Sequence, residues 1–160
     1  MLQGKSRLCL IVVAVCAAAT AADPPIEPVS VCEVLANLPA MEGKPLAVLG
    51  RYSFRSTGLF VSEQVCAQPG PTPTTLWMVE DLKDGPRPPE HFELDAAALT
   101  HKIGEIMRHT QLGKFRFGTP DYDRWAVIYG RVELRKGEDA KKAPANLVFR
   151  GSGVVVFVTP

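Results

Sequence analysis

The segments AVLGRYSFR (Ala47 to Arg55) and AVIYGRVELR (Ala126 to Arg135) decide the fold, because the chain carries nearly the same pattern twice. Each begins with Ala-Val, passes through one or two apolar residues to Gly-Arg, and then alternates between apolar and polar residues. Strict alternation is typical of a half-buried β-strand. Three explanations are open: a shared binding site, an internal duplication, or two strands that meet the same packing requirement.

The glycines of the two segments favour the packing explanation. Alternation places these residues on the inward faces of the strands: Leu46, Val48, Gly50, Tyr52 and Phe54 in the first, and Ala126, Ile128, Gly130, Val132 and Leu134 in the second. A glycine inside a strand usually marks a bend or the close approach of another part of the chain. Small barrels need such positions, because strongly tilted strands coil around a narrow interior. The sequences around the two segments do not match, so duplication is not favoured.

The first 22 residues have the pattern of a secretory signal peptide. Lys5 and Arg7 precede the apolar run LCLIVVAVCAAA, and small residues then lead to a cleavage site after Ala21 or Ala22. A retained anchor is a weaker interpretation, because the run is shorter than the roughly 20 residues that span a bilayer. Lipid attachment at Cys16 is disfavoured by a bulky valine where lipoprotein signals have a small residue. We therefore expect a secreted or periplasmic protein.

Removal of this signal peptide changes the charge and the domain count. The formal net charge falls from +1 to about −1, because Lys5 and Arg7 leave with it. A near-neutral chain lacks the basic patch that nucleic-acid binding requires. We expect residues 23–42 to form an N-terminal leader and a short helix, and residues 43–160 to form one domain.

Cys32 and Cys66 are the two cysteines of the expected mature chain, and we predict a disulfide between them. A redox pair or a set of metal ligands is the alternative. Neither is supported, because the chain has no Cys-x-x-Cys motif and no histidine close to either cysteine in sequence.

Two helices are predicted. Ser30 and Glu33 have the spacing of a capping box at the start of SVCEVLANL, and Pro39 ends that helix. The second helix runs from Asp95, a candidate N-cap, to His109. Residues 114–123 carry no pattern that assigns them to a helix or a strand.

Five strands are predicted, with the second helix between the third and the fourth. Their sequences are GKPLAVLGRYSF, GLFVSE, TLWMVED, WAVIYGRVEL and LVFRGSGVVVF, the last broken at Gly151 to Gly153. This order resembles that of the OB-fold, a small Greek-key barrel, across Gly43 to Val158. The opening GK-x-hydrophobic-x-hydrophobic-x-GR is similar to that of secreted OB-like domains without an assigned activity.

The resemblance implies a fold that is mainly β with two helices: a five-stranded OB-like Greek-key barrel with an added N-terminal helix. It also implies that the helix Asp95 to His109 plugs the barrel. An immunoglobulin-like sandwich is the alternative, and two helices with only five strands count against it.

A ligand face on the first three barrel strands follows from the same resemblance, since OB-folds often bind oligonucleotides or oligosaccharides there. This predicted face comprises Arg51, Arg55, Phe60, Glu63 and Trp77. Aromatic residues are present, but the near-neutral charge makes nucleic acid an unlikely partner. Packing at the core or rim is the competing interpretation of Trp77.

The sequence contains no catalytic motif. The histidines His91, His101 and His109 lack the spacing of a metal-binding helix. The acidic residues Glu80, Asp81 and Asp84 lack the pattern of a calcium-binding loop and are typical of a solvated turn. No cofactor is predicted.

We therefore expect a non-enzymatic binding module for a protein, a glycan or a small ligand in the periplasm or outside the cell. One alternative is a metal-binding or enzymatic protein whose site combines distant residues, for example His101 or His109 with Asp121 or Asp123. The other is an envelope structural protein that acts through an exposed edge strand.

Overall fold

The computed structural model describes residues 24–63, 65–66, 72–109, 117–118, 121–151 and 155–157. The predicted signal peptide, residues 1–22, lies outside the described residues. In the described part the chain is mainly β and has four short helices. The elements in chain order are β1 (Val29–Ser30), α1 (Val31–Ala36), α2 (Leu38–Met41), β2 (Pro45–Arg55), β3 (Gly58–Ser62), β4 (Thr75–Glu80), α3 (Ala96–His109), β5 (Phe117–Gly118), β6 (Asp121–Leu134), α4 (Glu138–Lys142), β7 (Ala145–Phe149) and β8 (Val155–Phe157).

Five strands close into a β-barrel. Their order is β2-β3-β4-β7-β6, and β6 pairs back with β2 to complete the ring. Neighbouring strands run antiparallel except β4 and β7, which are parallel. Each of the five strands therefore has a hydrogen-bonded neighbour on both sides. The short strand β1 lies beside β2, while β5 and β8 pair with β6.

The pairing of β2 with β6 brings the two echoing segments side by side. Val48 lies opposite Ile128, and Gly50 lies opposite Ala126. Because directly paired residues point to the same side of a sheet, the predicted inward sets share one face. Val48, Ile128 and Val132 on that face are fully buried. Phe54 is the exception: it lies beside the hairpin turn that joins β2 to β3, and its side chain is 48% exposed.

The inward-facing glycines are positions of close approach, which confirms the packing explanation. A Cβ atom on Gly50 would lie 2.6 Å from Val61 Cγ2 and 2.8 Å from Val31 Cγ2. A Cβ atom on Gly130 would lie 2.8 Å from Leu147 Cδ1. Real Cβ contacts are not this short, so a larger residue at either position would force neighbouring strands apart.

The helix α1 packs against the barrel more closely than α3 does. Its residues Val31, Val34 and Leu35 are buried, and Val31 contacts the inward side of Gly50. In α3 only Ile106 is buried, although Leu99 and Ile103 also pack against the core. The prediction gave the plugging role to α3 and not to α1. The apolar residues of α1 are evident in the sequence, but its position against the barrel is not.

Two of the four helices were not predicted, so the expectation of two helices is wrong. α2 contains Pro39, which was predicted to end the preceding helix, but proline is well tolerated in the first turn of a helix. α4 lies in a segment interpreted as a polar loop. Its first turn carries Glu138 and Asp139 and its last turn Lys141 and Lys142, an arrangement that the helix dipole favours.

The last predicted strand is divided into β7 and β8. Both run antiparallel to β6, β7 beside Gly130 to Leu134 and β8 beside Ala126 to Ile128. Gly151 has a positive φ of 66°, which suits glycine. β7 ends at Phe149, just before the predicted break, of which only Gly151 lies within the described residues.

None of the helices formed by the described residues is both long and apolar enough to cross a membrane.

Candidate functional site

A cleft between α1 and α3 is one of the concave sites in the described part of the chain. Its volume is about 450 Å³, within the range of small-molecule sites. Its lining residues come from three separate regions of the sequence: Ser30, Cys32, Glu33, Ala36, Asn37, Glu63, Lys102, Glu105, Ile106, Arg108 and His109. We call it the α1–α3 cleft.

Glu63 is the buried acid of the α1–α3 cleft, with only 6% of its surface exposed. It directly follows β3, and its backbone N–H donates to the carbonyl oxygen of Thr74 at 3.0 Å, so the strand pairing continues through it. Its carboxylate oxygen Oε2 accepts a hydrogen bond from the backbone N–H of Cys32 at 3.0 Å. Two residues after the inward-facing Val61, Glu63 also points inward, toward α1.

The pKa of the Glu63 carboxyl is raised above its ordinary value, because burial disfavours the charged form. The Cys32 N–H and the Ser30 hydroxyl each lower this pKa by donating hydrogen bonds to the carboxylate. The nearby charge of Glu33 raises it, and His109 lowers it. The net shift is upward. A buried acid with a shifted pKa in a cleft is a recognised sign of a functional site.

Ser30 and Glu33 shape the wall of the α1–α3 cleft through the predicted capping box. The Ser30 hydroxyl accepts from the Glu33 backbone N–H at 3.2 Å, and Glu33 Oε2 accepts from the Ser30 backbone N–H at 2.7 Å. The other carboxylate oxygen of Glu33 forms an ion pair with Lys102 of α3. The same glutamate therefore begins α1 and holds α3 beside it.

Cys32 and Cys66 lie at disulfide distance, with their Cα atoms 5.4 Å apart. This confirms the predicted pairing. The bridge ties the first turn of α1 to the chain that leaves β3, next to Glu63. It therefore holds the backbone N–H of Cys32 beside the Glu63 carboxylate.

The outer surface of the barrel carries a second concave site. Phe60 of β3 and Trp77 of β4 are directly paired, and their rings meet edge to face with centroids 4.7 Å apart. The Arg135 guanidinium lies over the Trp77 ring, 4.9 Å from its centroid, as in a cation–π contact. Gly58 makes room for the indole, since a Cβ there would lie 2.7 Å from Trp77 Cζ2.

The hollow beside Trp77 has a volume of about 330 Å³ and is open to solvent. We call it the Trp77 hollow, and its lining residues are Trp77, Val79, Arg135, Lys136, Asp139 and Asn146. Arg135 Nη2 lies 3.4 Å from the Asp139 carboxylate. Arg135 Nη1 is buried and has no hydrogen-bond partner among the described residues. A buried donor without a hydrogen-bond partner is costly to the folded state.

The five residues of the predicted ligand face do not stay together. The strand registers place Arg51 and Arg55 on the outward side of β2, the side that carries Phe60 and Trp77. Glu63 lies on the opposite, inward side and belongs to the α1–α3 cleft. The alternation that leaves Phe60 outward requires Glu63, three residues later, to point inward.

The two histidines of α3 lie in different surroundings. His109 lines the α1–α3 cleft, whereas His101 is exposed and lies 3.7 Å from Glu105 on its own helix. The side chains of Asp121 and Asp123, the suggested partners of these histidines, lie outside the part that the structure describes. Within the described residues, no group of three or more histidine, cysteine or acidic side chains is placed to hold a metal ion.

Asp81 belongs to the acidic turn with Glu80 and Asp84. Its carboxylate oxygen Oδ1 accepts from the backbone N–H groups of Lys83 at 2.8 Å and Asp84 at 2.9 Å. These hydrogen bonds lower the pKa of Asp81 below its ordinary value. The carboxylate therefore closes the turn, in agreement with the predicted solvated turn.

Several residues of both sites are not recognisable as site residues from the sequence. The outward position of Arg135 followed from alternation, but its contact with Trp77 depends on the parallel pairing of β4 with β7. Lys102 carried no signal, because its partner Glu33 is 69 residues away in sequence.

Comparison with known proteins finds no matching family, no matching curated protein and no matching solved structure.

Proposed function

We propose that this protein is an exported OB-like barrel that acts as a non-enzymatic binding module and takes its ligand in the Trp77 hollow. The strand order β2-β3-β4-β7-β6 supports an OB-like Greek-key topology, because such barrels have a parallel pair between their third and fifth strands and a helix before the fourth. The signal-peptide pattern of residues 1–22 and the disulfide-distance pair Cys32–Cys66 support an oxidising compartment outside the cytoplasm.

The observation that carries this proposal is the contact between Trp77 and Arg135. It places an aromatic ring, a guanidinium and the Asn146 amide around one open hollow on the outer barrel surface. OB-folds often bind oligosaccharides on this surface. An acidic oligosaccharide suits the hollow best, since its ring would contact the indole edge and its carboxylate would reach Arg135 and Lys136.

Intrinsic tryptophan fluorescence tests this function, and the buried Trp125 serves as an internal reference. The chain has two tryptophans, and Trp125 is only 6% exposed. We expect a panel of acidic oligosaccharides to change the emission of Trp77 in a saturable way, and neutral oligosaccharides of the same length to bind more weakly. The Trp77→Phe variant, which keeps Trp125, removes the fluorescence signal. The Arg135→Ala variant weakens binding of the acidic panel by about tenfold or more, as expected for loss of a charge-assisted hydrogen bond.

A protein partner that binds at the Trp77 hollow would contradict this proposal. If no oligosaccharide perturbs Trp77, and an envelope protein captured by the mature chain protects the Trp77 hollow instead, the ligand is a protein and the proposed class is wrong. The structural alternative, association through an exposed edge strand, has less support, because each of the five barrel strands is paired on both sides.

A further inference from the structure

Glu63 has no ionic partner in the part of the chain that the structure describes. Its carboxylate accepts hydrogen bonds from the Cys32 backbone N–H and the Ser30 hydroxyl, which are both neutral. Buried carboxylates are seldom found without a cationic partner, because removing the charge from water is costly. The fold nevertheless holds this carboxylate at one wall of a cleft rather than inside the sealed core.

The basic side chains of the α1–α3 cleft do not neutralise Glu63. Lys102 forms its ion pair with Glu33. Arg108 and His109 line the cleft on α3, and neither forms an ion pair with Glu63. His109 is near enough to favour the charged form of Glu63 but is not in hydrogen-bond contact with it. The Glu63 carboxylate therefore faces the cleft without a cationic side chain in hydrogen-bond contact with it.

We propose that the α1–α3 cleft binds a small organic ligand that carries a protonated amino group, seated against the Glu63 carboxylate. An ammonium group supplies both the positive charge and the hydrogen-bond donors that a carboxylate accepts. This site is separate from the Trp77 hollow, and the two have no lining residue in common.

The walls of the cleft suit an amine with a short alkyl chain. Ala36 of α1 and Ile106 of α3 provide apolar surface on the two sides. The volume of about 450 Å³ admits a small molecule and is too limited to enclose a folded partner. The Glu33–Lys102 ion pair, which joins the two helices, keeps the walls in place.

The experiment is a titration of the ¹⁵N-labelled protein with n-butylammonium chloride, followed by NMR at neutral pH. We expect saturable shifts at the amides of Cys32 and Glu63, with a Kd on the order of 1–10 mM for so small a ligand. n-Butanol and sodium butyrate, which match the shape but lack the positive charge, produce no saturable shift. Equal binding of n-butanol, or the absence of saturation by the amine, overturns the proposal without the need for any variant.

Two variants identify the carboxylate that is responsible. Glu63→Gln keeps an oxygen that can accept from Cys32 but removes the charge, and we expect at least about a tenfold rise in Kd. Glu42→Gln removes the same charge from an exposed residue outside the cleft and leaves the Kd within about twofold, as expected for a distant surface charge. Unchanged binding to Glu63→Gln contradicts the proposal.

The positions of the shifts separate this inference from the proposed oligosaccharide function. Amine binding at Glu63 leaves the amides of Trp77 and Asn146 unshifted. If n-butylammonium shifts those amides and not the amide of Cys32, the amine occupies the Trp77 hollow and the α1–α3 cleft is not its site.

Discussion

Val31 of α1 lies directly against Gly50 of β2, with its Cγ2 atom 2.8 Å from the position that a Cβ on Gly50 would occupy. The same position lies 2.6 Å from Cγ2 of Val61 on β3. Gly50 thus allows a helix and a neighbouring strand to reach the barrel interior at one point. The α1–α3 cleft depends on this contact, because it sets the position of α1 above β3 and therefore of Cys32 above Glu63.

Gly50→Ala is expected to destabilise the protein by about 1–3 kcal/mol, the usual cost of overpacking a core. Both nearest side chains are valines, which have little freedom to move aside. The free energy of unfolding is measured by urea denaturation.

Gly104→Ala is the matched control for this substitution. A Cβ on Gly104 of α3 would have no neighbour within 4 Å, so alanine there stabilises the helix by about 1 kcal/mol. Equal effects of the two substitutions would show that α1 does not contact the barrel at Gly50.

Replacement of both cysteines by serine is expected to lower the free energy of unfolding by about 3.8 kcal/mol, the chain-entropy estimate for a loop of this length. Cys32 and Cys66 are 34 residues apart in sequence. Urea denaturation of the wild type with and without reductant provides the comparison. A reduced wild type that is as stable as the oxidised protein would contradict this prediction.

Glu63 is expected to make the folded state less stable as the pH rises. Its pKa in the folded protein is above the ordinary value of 4.5, so the folded state binds this proton more tightly than the unfolded state does. Its contribution is complete below pH 4.5 and is lost as the pH rises through the raised pKa. Between pH 4.5 and neutral pH, the wild type should therefore lose stability relative to Glu63→Gln in urea denaturation.

The contribution of Asp81 to the free energy of unfolding depends on pH in the opposite direction. Its pKa lies below the ordinary value of 3.8, so its contribution is present above pH 3.8 and is lost as the pH falls through the lowered pKa. Asp81→Asn should therefore differ from the wild type in slope only on the acid side of pH 3.8. If the stability of Asp81→Asn differs from that of the wild type in its slope against pH above pH 4.5, the pH dependences are wrongly assigned to Glu63 and Asp81.

Ser30→Ala is expected to destabilise the protein by about 1 kcal/mol through loss of the cap of α1. Because the Ser30 hydroxyl also donates to Glu63, the substitution should couple with Glu63→Gln by at least about 0.5 kcal/mol in a double-mutant cycle.

Asp95→Ala is the control in this cycle. Asp95 Oδ1 accepts from the N–H groups of Ala97 and Ala98 at 2.9 Å, as its predicted N-cap role requires, and it does not line the cleft. Its effect should add to that of Glu63→Gln. If the effects of Ser30→Ala and Glu63→Gln are additive instead, the Ser30 hydroxyl does not contact Glu63.

Local elements were accessible from the sequence where one periodic pattern dominates. Alternation identified β2 and β6, and the capping box identified α1, because each depends on residues that are close along the chain. α4 was missed because its five residues contain no apolar stripe. The candidate sites were largely missed, because each assembles residues from elements that are far apart in sequence.

The sequence alone determined the alternating strands, the inward placement of Gly50 and Gly130, and the residues that cap α1 and α3, since these follow from the chain's own spacing. Tertiary structure alone decided that β4 pairs with β7, that Arg135 covers Trp77, and that Cys32, Glu63 and Lys102 line one cleft. The physical reason is that long-range pairing follows from burial summed over the whole barrel. No local pattern along the chain records that sum.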